Sequence, residues 1–434
     1  MTYQTTKSRT TKNQLMRICL ITIGSRGDVQ PFIALSLGLI GRGHDVTLAV
    51  QENFQDFVTS YGVTPFPLTG DMEEFLHKPE GRRLIKKGNG IALARYLYKE
   101  ASKIRFELRK NLMEVSWDKD VVIANLTTAF WMTPITEKLN NRLVLLNLNP
   151  PVVPTREFPY FQFDFINTPW FNLLTYRLIR SFIWGLNKKD FNEFRDELEL
   201  PKFKESVFKE LAKRQILVTH CFSNELISRP KDWPINSQIT GYLNLTIDKR
   251  EKENTEIPDD LIIWVENGEK PIYIGFGSMP IPNEEVLKKA IRDILATTKN
   301  RIVFCEGWSH ISNLPTCDNL RVVKQVNHDW LFPKCKLAVI HGGIGTIHSA
   351  LKAGLPLIIA SIFADQPIWG KIIERKGLGL HIPFNKISSK KLIKAFDKVM
   401  TKEIGEKVST VSDRMNNEDG LGTTLNTIEG YKIS

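Results

Sequence analysis

From Met16 onward, short apolar runs of strand length alternate with longer stretches of helical period, the pattern of a parallel sheet covered on both faces. Arg17–Gly24 predicts a strand, Val29–Arg42 a helix, Asp45–Val50 a second strand and Val63–Leu68 a third. Val121–Ala124, Leu143–Asn147 and Gln215–Thr219 continue the series, separated by two longer, less regular insertions at roughly 70–115 and 151–212. The later half repeats the scheme more compactly, with strands expected near 271–277, 301–305, 320–326, 337–341, 356–361 and 379–383. Between the halves, Asp248–Glu256 is a dense charge run without apolar period, as expected of a solvated linker. The expected division is a disordered tail at 1–14, a first domain at 15–246, a linker at 247–256 and a second domain at 257–434 whose last helix packs back on the first. Two doubly wound, Rossmann-like α/β domains facing one another would hold ligands in the cleft beyond the carboxyl ends of their strands.

Composition agrees and narrows the class. At 434 residues the chain can form two domains with separate cores, and 42% hydrophobic with 25% charged residues is globular usage. The most apolar stretch, Val121–Thr136, has only 16 residues and includes Asn125, four threonines and Pro134, so no transmembrane helix is expected. The polar first 15 residues and the strand-length apolar run after Arg17 argue against a secretory signal. Five scattered cysteines without paired spacing argue against a disulfide framework or a zinc site and favour a reducing cytoplasm. The net charge of +11 would suit an anionic membrane surface or phosphorylated small molecules. Its even spread, without a nucleic-acid module, argues against nucleic acid.

Candidate chemistry concentrates in glycine-rich strand ends. Leu337–Ile340 leads into His341-Gly342-Gly343-Ile-Gly345-Thr346, where the backbone turns into a helix expected to begin near Thr346. Bare N–H groups at a helix N-terminus bind a diphosphate without a lysine, and His341 can add a donor. Asp365 lies 24 residues past His341, after the apolar run Pro356–Phe363, and Asp365 with Gln366 offers acceptors and donors to vicinal sugar hydroxyls. Trp369 reads either as apolar wall or as core. Upstream, Ile274-Gly-Phe-Gly-Ser278 ends another strand and can assist at phosphate.

Together with Asn327-His-Asp-Trp-Leu-Phe-Pro-Lys-Cys335, Gly354-Leu-Pro356 and Phe363-Ala-Asp-Gln-Pro-Ile-Trp-Gly370, these motifs resemble the donor-binding segment of family 1 glycosyltransferases. The resemblance is greatest to the branch of sterol glucosyltransferases and bacterial glycopeptide or macrolide glycosyltransferases. It implies the GT-B fold, a nucleoside-diphosphate sugar as co-substrate, inversion at the anomeric carbon, and neither metal nor further cofactor. By position, His341, Gly342, Gly343, Gly345 and Thr346 would meet the diphosphate with help from Ser278, Asp365 and Gln366 would hold the sugar, and the backbone at Val326 and Asn327 would meet the base. Three positions depart from the pattern. Ile340 stands where sterol enzymes often have another histidine, Asn327 where they usually have proline, and Ser349 where plant members place a glutamate on the ribose. UDP and dTDP both stay open.

The first strand ends in Gly24-Ser25-Arg26-Gly-Asp28-Val-Gln-Pro31, which matches the N-terminal motif of the same branch. The resemblance makes Asp28 the general base for an acceptor hydroxyl, whereas its place beside a helix start also suits a simple cap. His44, beside Asp45 at the start of the second strand, reads as structural. Phe158–Trp184 carries ten aromatics in 27 residues, which suits a hydrophobic acceptor pocket (Phe158, Phe161 and Trp170, with Ser25 and Arg26) or a shallow membrane contact, with Arg177 and Arg180 interleaved. The expectation is transfer of a hexose, glucose first, from a UDP-sugar to a lipophilic hydroxyl compound. The alternatives are a dTDP-deoxysugar transferase acting on a polyketide or peptide aglycone, nucleotide-sugar epimerisation, and a non-catalytic nucleotide-binding homologue.

Overall fold

A computed structural model describes residues 15–88, 90–163, 165–245, 257–307, 311 and 313–431; the expected tail and linker lie outside these residues. Seven strands form the first sheet: β1 (Arg17–Ile21), β2 (Asp45–Gln51), β3 (Thr64–Leu68), β4 (Val121–Asn125), β5 (Arg142–Asn147), β6 (Leu217–His220) and β7 (Ser237–Ile239), in the order 3-2-1-4-5-6-7. Six form the second: β8 (Ile272–Gly275), β9 (Ile302–Cys305), β10 (Leu320–Val323), β11 (Leu337–Ile340), β12 (Leu357–Ile359) and β13 (Gly379–His381), in the order 10-9-8-11-12-13. Every neighbouring pair is parallel. Strands covered on both faces must be apolar throughout, and β4, β8, β9 and β11 are buried along their whole length. In each sheet the order reverses beside the first strand, between β1 and β4 and between β8 and β11, which opens a crevice at those strand ends.

Six helices recur below, labelled α1 (Arg26–Gly41), α2 (Gly90–Ser116), α3 (Pro169–Glu197), α4 (Ile344–Lys352), α5 (Gln366–Lys376) and α6 (Gly420–Gly430). The two insertions expected to be less regular are largely helical. Short helices at 72–77 and 79–87 precede the 27-residue α2, and nearly half of the second insertion is the 29-residue α3. Both long helices carry apolar and charged residues on all sides, which blurs their period in sequence.

The domains hold one another at several points. Helix α6 leaves the second domain and lies on α1, where Gly38 leaves room for Leu421 and Leu425. Glu429 pairs with Arg42 at 2.5 Å and with His44 Nε2 at 3.0 Å. The Met16 amide donates to His44 Nδ1, so the imidazole bridges backbone and Glu429 and takes no part in a dyad with Asp45. The chain segment leaving the first domain and the one returning to it at the start of α6 touch at Gly241 and Gly420: a Cβ on Gly241 would lie 2.9 Å from the Gly420 Cα. His348 of α4 accepts the Ser223 N–H at Nε2 (2.9 Å), its Nδ1 donates to the Ile344 carbonyl, and burial pushes its pKa down to about 4, so it stays the neutral acceptor this contact needs.

Candidate functional site

The loop after β1 is built around one carboxylate. Helix α1 starts at Arg26, earlier than the pattern indicated, so Ser25 is the cap and Asp28 is the third helical residue rather than a cap ahead of the helix. Asp28 reaches back so that Oδ2 accepts the Ser25 N–H at 2.8 Å and the Ser25 hydroxyl at 3.2 Å, a capping box. Only glycine fits at Gly24: φ is +151°, and a Cβ there would lie 2.2 Å from Asp28 Oδ2. Gln51, buried at the end of β2, accepts the Gly24 N–H, and Asn125 at the end of β4 donates to the Ile23 carbonyl. Burial raises the Asp28 pKa against the lowering effect of both Ser25 bonds. Arg26 lies over the Phe57 ring, 4.8 Å from its centroid.

Across the cleft, β11 runs into His341 and then α4, which begins at Ile344, two residues before the expected start. The cap position is Gly343, which has no side chain to bond the first turn, and the N–H groups of Ile344, Gly345 and Thr346 precede the first intrahelical acceptor. They form an anion cradle at the positive end of the helix dipole. Gly342 has φ +100°, and a Cβ there would come within 2.7 Å of the Ile359 side chain and 3.3 Å of the Gln366 carbonyl. Gly342→Ala should therefore lose about 1–3 kcal/mol of stability, read as a lower urea midpoint, and weaken nucleotide binding as the cradle shifts. Burial pushes the pKa of His341 down to about 4, so the ring is neutral near pH 7. It lies between Gly277 and Gly343, beside half-buried Ser278, and its buried Nδ1 has no hydrogen-bond partner among the described residues.

The sugar pair sits at the start of α5. Asp365 occupies the cap position without capping; Oδ2 instead accepts from Trp369 Nε1 at 2.9 Å. Trp369 is fully buried, with its ring edge-on to Phe222, which decides for core over wall; it orients Asp365. Gln366 is also buried. Its Oε1 accepts from Ile362 (2.8 Å) and Phe363 (3.3 Å), which braces the turn and leaves the amide NH₂ as its group for a ligand. Asp365 is pushed up to about 6, first by burial and next by the negative charge of Asp28. Carboxylates from the two domains thus share one electrostatic neighbourhood.

The remaining candidates separate by position. Asn327 caps the short helix at 328–331, its side chain accepting from the Asp329 N–H, beside half-buried Val326. Gly345 lies under a hydroxyl of the first domain: a Cβ there would come within 2.6 Å of Tyr242 Oη, and Tyr242 stacks on His348 at 4.4 Å. Phe158 and Phe161 pack together at 5.6 Å, whereas Trp170 stands 66% exposed and in ring contact with Phe171, not with that pair. Tyr160, counted only among the ten aromatics, has a hydroxyl that feels the charge of Asp365. It is buried beside Phe161 and Tyr176 and pushed up to about 12, first by burial and then by Asp365. Gln51 was also missed; a lone amide closing an apolar strand at a ligand crevice is the signal that could have found it. Met279 and Phe363, adjoining Ser278 and Asp365, pack with Leu76, Leu84, Ile85 and Leu93, so the first insertion grips the donor loops.

Comparison with known proteins sets this geometry in context. Residues 18–108 match the glycosyltransferase family 28 N-terminal domain, and residues 293–420 the erythromycin biosynthesis protein CIII-like C-terminal domain. The sterol 3-beta-glucosyltransferase UGT80A2 of Arabidopsis thaliana is 32% identical over 94% of this chain, and UGT80B1 of the same plant 30% identical over 94%. The chain spans 64% and 67% of the lengths of those two proteins. Among solved structures, the glycotransferase of kitacinnamycin superposes with a TM-score of 0.69 at 16% identity, covering 96% of this chain and 99% of its own. The Streptomyces glycosyltransferase SsfS6, complexed with thymidine diphosphate, gives 0.60 at 18% identity, covering 96% and 100%. At these identities the structural likeness speaks for the fold alone.

Proposed function

Because the chain belongs to the GT-B glycosyltransferases, in the branch that includes the sterol 3-beta-glucosyltransferases, we propose that it moves glucose from UDP-glucose to a hydroxyl of a lipophilic acceptor, inverting the anomeric centre without a metal. The observation that supports this reading is that carboxylates from the two domains, Asp28 at the start of α1 and Asp365 at the start of α5, face one site in which the Asp28 charge raises the Asp365 pKa, beside a helix start with bare N–H groups. The acceptor oxygen attacks the anomeric carbon while its proton passes to the Asp28 carboxylate. The bond to the diphosphate breaks with its electron pair, and the α4 N-terminus and the neutral His341 ring stabilise that charge. Asp365 and the Gln366 amide hold the sugar hydroxyls. Phe158, Tyr160 and Phe161 offer an apolar wall of the kind a sterol or carotenoid alcohol would fill.

Incubation with UDP-glucose and a panel of sterols, carotenoid alcohols, flavonoids and macrolides should add the mass of one hexose to a lipophilic member. Release of UDP without any acceptor would point to epimerisation, and failure to bind any nucleoside diphosphate would leave a non-catalytic homologue. A second reading, transfer of a dTDP-deoxysugar to a polyketide or peptide aglycone, draws on Ser349 in place of a ribose-binding glutamate and on the thymidine diphosphate held by SsfS6. A thermal-shift comparison decides between them: greater protection by UDP than by dTDP supports the first.

A further inference from the structure

The aromatic-rich second insertion divides into two populations. Phe158, Tyr160, Phe161 and Tyr176 pack against one another, and the Tyr160 N–H bonds Thr175 Oγ1 at the start of α3. Beyond them the apolar side chains face water. Trp170, Leu174, Leu178, Phe182 and Leu186 recur every four residues along α3; Leu178, Phe182 and Leu186 are 51%, 60% and 57% exposed, and Phe165 just ahead of the helix is 71% exposed. Side chains four apart are neighbours on a helix, so the five form a slanting ridge about 24 Å long. The opposite side, with Asn172, Thr175, Tyr176, Phe191 and Phe194, is the buried one. A contiguous exposed apolar ridge of this extent marks an interaction surface rather than ordinary scatter.

Charge selects what covers it. Pro169–Lys189 contains Arg177, Arg180, Lys188 and Lys189 and no acidic residue. Arg180 is committed to the Val152 carbonyl and the Phe208 ring, but Arg177 and Lys188 are exposed and have no ion pair among the described residues. Where the ridge ends, a hollow of about 440 Å³ is lined by Gly185, Lys188, Lys189, Asn192, Glu193 and Lys202, three ammonium groups to one carboxylate. Lys189 sits 3.8 Å from Glu193, and Lys202 is paired with Asp196. A second copy placed symmetrically on this face would set these cations against themselves. No described helix is long and apolar enough to cross a membrane, so the contact would be superficial.

We propose that α3 docks the protein on an anionic lipid bilayer, with the Trp170–Leu186 ridge at the acyl boundary and Arg177, Lys188 and the lysine-lined hollow against lipid phosphates. The proposal rests on this surface alone and is independent of the transfer reaction. It is tested by co-sedimentation of the whole chain with phosphatidylcholine vesicles, plain or with about a third phosphatidylglycerol. Anionic vesicles should retain the protein, and both Leu178→Glu/Phe182→Glu and Lys188→Glu/Lys189→Glu should lower the partition coefficient about tenfold or more. All four positions are exposed, so circular dichroism and the melting midpoint should stay unchanged. No preference for anionic vesicles, or retention of either variant at the wild-type level, overturns the proposal. So does a dimer in analytical ultracentrifugation that Leu178→Glu/Phe182→Glu dissociates, because the ridge would then belong to a second copy.

Discussion

Asp28→Asn should leave the protein folded and lower kcat about 10²–10⁴-fold, the usual contribution of a positioned general base. An asparagine at this place can still accept the Ser25 N–H through its carbonyl oxygen, so the start of α1 keeps its capping bond and Gly24 still clears the side chain. What it cannot do is take a proton from the acceptor. Burial raises the Asp28 pKa, so the proton-accepting form gains population only above the ordinary carboxylate range, and activity should climb with pH along an acid limb displaced upward. Steady-state transfer in the wild type and the variant across pH 4–9 checks both points. Turnover near normal in Asp28→Asn would sink the base assignment, and loss of the far-ultraviolet spectrum would show a folding defect instead.

Asp365→Asn should move stability and catalysis in opposite directions. Its pKa in the folded protein is pushed up to about 6, so folding favours the protonated form. That contribution is fully present below the ordinary carboxylate value near about 3.9 and is lost as pH rises through about 6. At pH 8 the native state therefore holds an ionised, desolvated carboxylate near Asp28 at a cost of about 1–2 kcal/mol, which an amide avoids. The unfolding free energy of the unliganded variant should exceed wild type by that amount at pH 8 and match it near pH 4. Transfer should still fall about 10–100-fold in kcat/KM, because a charged acceptor for sugar hydroxyls is gone. Denaturant titration at both pH values with paired kinetics tests this. A variant destabilised at pH 8 would show that the carboxylate's bond to Trp369 outweighs its burial.

The strands were readable because a parallel sheet covered on both sides demands unbroken apolar runs, and β4, β5, β8, β9 and β11 offer little else. The three-residue β7 was not, since Ser237-Gln-Ile239 owes its place to pairing with β6 rather than to its own composition. Helices α2 and α3 escaped for a related reason: exposed Tyr98 and Phe106 on one, and the ridge on the other, put apolar residues where a soluble helix normally shows charge. At the site, the loops carry their chemistry in sequence because only glycine fits Gly24 and Gly342. The partners that make them work do not. Gln51 beneath Gly24, Tyr242 over Gly345 and Tyr160 within the field of Asp365 arrive from distant segments, and only the fold brings them together.

The chain passes between the domains once in each direction, and the outgoing and returning paths meet backbone to backbone at Gly241 and Gly420. Backbone packed on backbone leaves no room for a side chain at either position: a Cβ on Gly420 would lie 2.3 Å from the Tyr242 carbonyl oxygen. Alanine at Gly241 or Gly420 should therefore wedge the two paths apart and shift, as a unit, the loops that carry Asp28 against those that carry Asp365.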